Sequence, residues 1–131
     1  MKLTKDQRLQ IYNKYGCRCA YCGKEIKYED MQVDHIKPVF HNWTEEEKQK
    51  WLPEGYLGED TIENMNPSCR MCNFRKGSSQ IEDFRTAIEK GLTQLEKIFM
   101  YRLLKSYGLI IENKQPVKFY FEKYDEGITN T

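Results

Sequence analysis

Five cysteines stand in the 131-residue chain, and four fall into two pairs of one spacing, Cys19-Ala20-Tyr21-Cys22 and Cys69-Arg70-Met71-Cys72. Two intervening residues let both thiolates of a pair reach one tetrahedral ion at about 2.3 Å, so Cys19, Cys22, Cys69 and Cys72 point to a zinc site. Buried hydrophobic cysteines falling at ligand spacing by chance is the weaker alternative. Four thiolates fill the coordination sphere and leave no position for water, so the expected zinc is structural. Its binding, on the order of 10 kcal/mol, rivals the whole stability of a small domain. Cys17 is the odd thiol. Its spacing to Cys22 also suits a ligand pair, which leaves it open as a substitute for Cys19, although a spare thiol is the preferred reading.

A second constellation lies between and just after these knuckles. The strings Val33-Asp34-His35-Ile36-Lys37-Pro38, Ile62-Glu63-Asn64-Met65 and Cys69-Arg70-Met71-Cys72-Asn73-Phe74-Arg75-Lys76-Gly77 occur in that order. Together they resemble the HNH endonuclease family, in its zinc-stabilised four-cysteine subgroup with the ββα-metal fold, over roughly residues 17 to 77. The resemblance implies a metal-dependent DNA endonuclease that hydrolyses phosphodiester bonds with one divalent ion and a histidine general base, nicking or cutting duplex. It implies that His35 is the base and that Asn64 holds its ring. Imidazole titrates near pH 6.5, so a neutral fraction exists at pH 7 to take a proton from water. Asp34 resembles the family's metal ligand, and a carboxylate with the Asn73 carbonyl suits a hard cation, Mg²⁺ or Mn²⁺. Asn73 stands where a second histidine can occur, and this poverty of nitrogen ligands argues against a catalytic transition metal.

Other residues are weighed against blander roles. Arg75 and Lys76 are expected to meet DNA phosphates, with Lys5, Arg8, Lys14, Arg18 and Lys24 as outer contacts. Tyr21, Phe74 and Trp51 suit base stacking, but aromatics beside knuckles and capped helices are more often core. His41 is read as a solvated loop residue, and Asn66, before Pro67, as a turn residue.

The elements that must position this chemistry follow from local pattern. Thr4 with Gln7 is a capping box for a helix carrying Leu9, Ile11, Tyr12 and Tyr15, ended by Gly16. Met31 to Ile36 alternates as a strand that sets Asp34 and His35 at its end. Residues 40 to 60 form a polar insertion with its own capping box at Thr44 and Glu47, and Trp51 and Leu52 as apolar anchors. Thr61 to Met65 is strand-like, a turn is expected at Asn66-Pro67, and Gly77 stops a helix that follows the second cysteine pair. Ser79 with Glu82 and Thr93 with Glu96 are expected to cap two further helices, the second carrying Leu95, Ile98, Phe99 and Leu103. Residues 109–111 and 117–121 flank a turn and predict a hairpin.

The expected architecture is therefore α+β: a ββα-metal core with two zinc knuckles, flanking helices and a C-terminal hairpin. Residues 1–108 form the nuclease domain, 109–124 the hairpin packed on it, and 125–131 a disordered tail. Length allows one compact domain. No apolar run approaches the roughly 20 residues of a membrane helix. The mixed charges of the first residues lack a secretory core, which makes a reducing cytoplasm the expected compartment. Net charge is +1, but residues 1–27 carry seven Lys/Arg against two acids, residues 28–63 three against ten, and residues 64–131 eleven against eight. Such blocks set a basic groove beside a carboxylate-rich loop, or merely solvate the surface. DNA is the expected partner. With little chain left for a specificity domain, weak sequence preference or a specificity-providing protein partner is expected. The competing functions are a zinc-stabilised nucleic-acid-binding module, or a protein-interaction module using the acidic loop, neither with catalysis.

Overall fold

In the computed structural model, which describes residues 1–127, the chain divides into two compact units: Met1–Ile81 with the segment from Phe119 on, and Glu82–Lys118. The first unit holds every candidate site residue. It begins with helix α1 (Lys5–Tyr12), started by the expected capping box: Gln7 N–H donates to Thr4 Oγ1 at 3.1 Å and Thr4 N–H to Gln7 Oε1 at 2.9 Å. Ile11 is its fully buried residue, and the chain leaves through Gly16 at φ +68°, a conformation that costs glycine little.

Strand β1 (Gln32–His35) pairs antiparallel with β2 (Met65–Ser68), in the register Gln32 to Ser68, Val33 to Pro67, Asp34 to Asn66 and His35 to Met65. This corrects the expected second strand and turn. Ile62–Asn64 is a short 3-10 turn, and the strand comes after it, through Asn66 and Pro67. Proline is admitted because a two-stranded sheet has only edge strands. All four β2 residues are buried, and Ala20 N–H from the first knuckle donates to the Pro67 carbonyl at 2.8 Å. Between the strands, helix α2 (Glu45–Trp51) opens with its capping box intact, but Trp51 is 64% exposed and anchors nothing. The loop returns tightly. Gly58 N–H donates to the Pro38 carbonyl at 2.8 Å, and the Gly58 backbone lies against that of Lys37.

Helix α3 (Arg70–Lys76) follows β2 at once and packs on β1; Gly77 ends it at φ +51°. Strand, loop, strand and helix thus stand in the expected order. Helix α4 (Ile81–Glu89) shows no hydrogen bond to the expected Ser79 cap; the Ser79 hydroxyl donates to the Lys76 carbonyl at the end of α3. In the second unit, the single helix expected from Thr93 is broken into α5 (Gly91–Leu95) and α6 (Phe99–Ser106), with Ile98 extended between them.

Residues 109–119 form no strand, so the C-terminal hairpin does not form. Phe119 instead opens helix α7 (Tyr120–Asp125), its N–H donating to Glu122 at 2.8 Å. This segment is used on the first knuckle: Tyr120 N–H donates to Tyr21 O at 3.0 Å, Phe121 N–H to Ala20 O at 2.7 Å, and Phe119 meets Tyr21 edge to face at 5.5 Å. The expected disordered tail falls partly on α7, which runs to Asp125; positions 128–131 lie outside the described residues. Among the described residues no helix is long and apolar enough to cross a membrane.

A methyl group at Gly58 would collide with the Lys37 carbonyl oxygen, so the loop must move to accept it. Gly58→Ala should cost roughly 1 to 3 kcal/mol, the usual penalty of overpacking. Urea unfolding measures it; a midpoint equal to that of the parent chain would refute this close approach.

Candidate metal and catalytic site

The four paired cysteines converge. Each of Cys19, Cys22, Cys69 and Cys72 offers a sulfur within 4.8 Å of the other three, and Cys22 Sγ lies 3.9 Å from Cys69 Sγ. Around a tetrahedral ion with bonds of about 2.3 Å, ligand sulfurs are about 3.8 Å apart, a spacing that Cys22 and Cys69 already have and that the other sulfurs approach. The backbone prepares it: Tyr21 N–H points at Cys19 Sγ and Cys72 N–H at Cys69 Sγ, both at 3.4 Å. Cys69 is thereby both a candidate ligand and the N-cap of α3. A hydrogen bond from Cys72, reinforced by the N–H groups of Cys69, Cys22 and Tyr21, holds the Cys19 thiol down to about 4. The same bond pushes the Cys72 thiol up, and burial pushes Cys22 up. Protons shared among crowded sulfurs are what a divalent cation would displace. Cys17 stands outside the cluster, at φ +64°, with its thiol toward Asn13 Oδ1 at 3.5 Å.

At the other end of α3 the side chains are polar. Asp34 is 5% exposed on β1, and its Oδ2 accepts from Lys76 Nζ at 3.0 Å and from the Tyr21 hydroxyl. Burial pushes the Asp34 carboxyl above the usual carboxylate range, against the pull of Lys76 and Tyr21. Burial also raises Tyr21, which is core, as the blander reading had it. Lys76 also donates to the His35 carbonyl at 2.9 Å.

That corrects the assignment of Lys76 to DNA. Its ammonium is fully buried, where it meets the Asp34 carboxylate and the His35 carbonyl of β1. Arg75, one residue earlier, is exposed, and Phe74 is 87% exposed, so neither belongs to the core. Asn73 is one turn before Lys76 and on the same side of α3. Among the described residues the Asn73 side chain makes no hydrogen bond, and Asp34 Oδ1 makes none either. A free carboxylate oxygen and a free amide carbonyl are the donors a hard cation takes, so these two residues fit Mg²⁺ or Mn²⁺.

His35 lines a cleft of about 310 Å³ together with Asp34, Val39, Phe40, His41 and Trp43. Its ring meets that of His41 edge to face at 5.7 Å, so the exposed His41 borders the site as well as the solvent. Asn64 makes no hydrogen bond to the His35 ring. Its Oδ1 accepts from Lys37 N–H at 3.0 Å, and its Nδ2 donates to the carbonyls of Lys37 at 2.9 Å and Glu59 at 2.8 Å. The residue on the ring is Asp60, whose Oδ1 is 2.9 Å from His35 Nε2. Sequence reasoning passes over it, because one acid among ten between residues 28 and 63 carries no mark of its own. The N-terminal ammonium first, and then the His35 ring, hold the Asp60 carboxyl below the usual range. Asn66 is no turn residue; it is fully buried opposite Asp34.

No protein-family model matches the chain. Over 72 residues, 55% of its length, it is 31% identical to the CRISPR-associated endonuclease Cas9 of Corynebacterium diphtheriae. The chain spans 5% of that relative. The crystal structure of the Type II-C Cas9 enzyme from Actinomyces naeslundii is similar over 66% of this chain and 8% of that one, at 24% identity and a TM-score of 0.46.

Two outcomes follow from this geometry. Protein purified without added metal should hold one zinc per chain by elemental analysis, lost in Cys19→Ser or Cys72→Ser and kept in Cys17→Ser; the reverse pattern would put Cys17 among the ligands. Lys76→Met should cost roughly 3 to 5 kcal/mol in denaturant melts by stranding a buried carboxylate, and adding Asp34→Asn should recover part of that loss.

Proposed function

We propose that this chain is an HNH-type, metal-dependent endonuclease domain that hydrolyses phosphodiester bonds in DNA. The observation that carries the reading is that Asp34 and His35, adjacent on β1, line one open cleft with Gly77 and Ser78, which follow the helix that bears Asn73. The partial likeness to an endonuclease over 72 residues supports it.

In this reading Asp34 and Asn73 hold one Mg²⁺ or Mn²⁺. When bound, that ion supplies positive charge to the phosphorane-like transition state and to the leaving 3′ oxygen. His35 takes a proton from the attacking water as the water oxygen bonds to phosphorus and the bond to the 3′ oxygen breaks. The phosphate stays on the 5′ oxygen of the downstream fragment, and the upstream fragment ends in a 3′ hydroxyl. Arg75, exposed two residues past Asn73, anchors a neighbouring phosphate. The cysteine cluster with structural zinc holds the start of α3, and the Lys76 pair holds its end against β1, so that Asn73 is fixed between two anchors. The buried Lys76 ammonium favours the charged form of Asp34 against the burial that opposes it.

Plasmid incubated with Mg²⁺ or Mn²⁺ should be nicked or cut, and EDTA should stop it. His35→Ala should lose about 10² to 10⁴ in rate, or roughly 3 to 5 kcal/mol, while keeping zinc and duplex binding. Asp34→Ala should fail differently, with excess metal restoring part of the activity. A His35→Ala protein that cleaves at the parent rate would sink the mechanism. Arg75→Ala should weaken binding alike on all sequences and flatten its salt dependence; salt-independent binding would remove the phosphate contact.

A further inference from the structure

His35 makes one contact that the mechanism above does not use. His35 Nε2 and Asp60 Oδ1 are 2.9 Å apart, with both side chains partly shielded, at 20% and 29% exposure. The two residues are 25 apart in sequence and belong to different segments, β1 and the end of the inserted loop. Their meeting is built by backbone. The Asn64 amide grips the carbonyls of Lys37 and Glu59 at once, and Glu59 is the residue before Asp60. Gly58, two residues before Asp60, lies so close to Lys37 that no side chain fits there. Ile36 N–H donates to the Asn64 carbonyl at 2.8 Å, closing the frame on the residue after His35.

From this geometry we infer that Asp60 is a positioning residue that fixes the tautomer and the orientation of His35. The inference rests on the nuclease reading for its consequence in catalysis, but not for its structural content. The ionised carboxylate carries no proton to donate, so the imidazole must donate, and Nε2 holds the hydrogen. The lone pair is then on Nδ1, which takes no hydrogen bond among the described residues. A neutral imidazole free in water divides between two tautomers and many ring rotations; a carboxylate partner on one nitrogen removes the unproductive ones. Asn64 therefore acts on the base at one remove, by setting the loop that delivers Asp60. His41 meets the ring edge to face without a hydrogen bond and leaves the tautomer to Asp60.

Two readouts on the zinc-loaded full chain test this. Nitrogen-15 spectra of the ring, recorded above the ordinary imidazole titration, should show His35 in the Nε2–H form alone. Asp60→Ala and Asp60→Asn should show both tautomers, and Asp60→Glu should keep mainly the parent form. In cleavage assays Asp60→Ala should lower kcat on the order of 100-fold with KM for DNA nearly unchanged, and Asp60→Glu should regain part of it. Unchanged tautomers in both Ala and Asn variants, or a loss confined to KM, would overturn the assignment. Should Asp60→Ala fail to fold, Asp60→Asn, which preserves volume, decides the same question. If the parent chain cleaves nothing while His35 is locked by Asp60, the nuclease reading fails and the positioning role stands.

Discussion

Four sulfur atoms brought within 4.8 Å of one another, from knuckles whose facing members are 47 residues apart, are the constraint on which the site depends. The sheet has two strands of four residues each, too little hydrogen bonding to hold a fold by itself. The first knuckle donates to β2 through Ala20 and receives α7 through Ala20 and Tyr21, while the second caps α3 through Cys69. Metal at that point would tie strand, helix and C-terminal segment in one place. Closing so long a loop by chain collapse alone costs entropy that a metal clip offsets.

The far end of α3 answers with a charge pair. Lys76 and Asp34 are both buried, and such a pair seldom adds net stability over apolar packing of equal volume. Its effect is on position. With Oδ2 of Asp34 committed to Lys76 and Tyr21, only Oδ1 is left without a hydrogen bond. The helix is anchored by sulfur at one end and by charge at the other, and it is only seven residues long.

Much of this is legible in the sequence because the signals are local. Paired cysteines, two capping boxes, Gly77 as a helix stop and the order of strand, loop, strand and helix depend on residues close to each other in the chain. The failures are non-local. Lys76 reads as surface charge because burial depends on what β1 presents from 41 residues away. Asn64 resembles a residue that holds the histidine ring, yet its amide reaches backbone rather than side chains. The C-terminal hairpin fails although its β propensity is real: aromatic residues from Phe119 onward find partners in Tyr21 and Tyr15, and packing overrides pattern. Asp60 has no local signal at all.

The Asn64 clasp also changes how the insertion between the strands should be regarded. Three hydrogen bonds from one side chain join Lys37 to the Glu59–Asn64 end, so everything between them hangs from a closed neck. Once a neck is closed, doubling the length of a flexible loop adds only about 0.6 kcal/mol of entropy. The segment around α2 is therefore a natural graft point. Changes of length confined to α2 itself spare both the neck and the Phe40–Trp43 stretch that lines the cleft, which gives this small scaffold a place to acquire new reach.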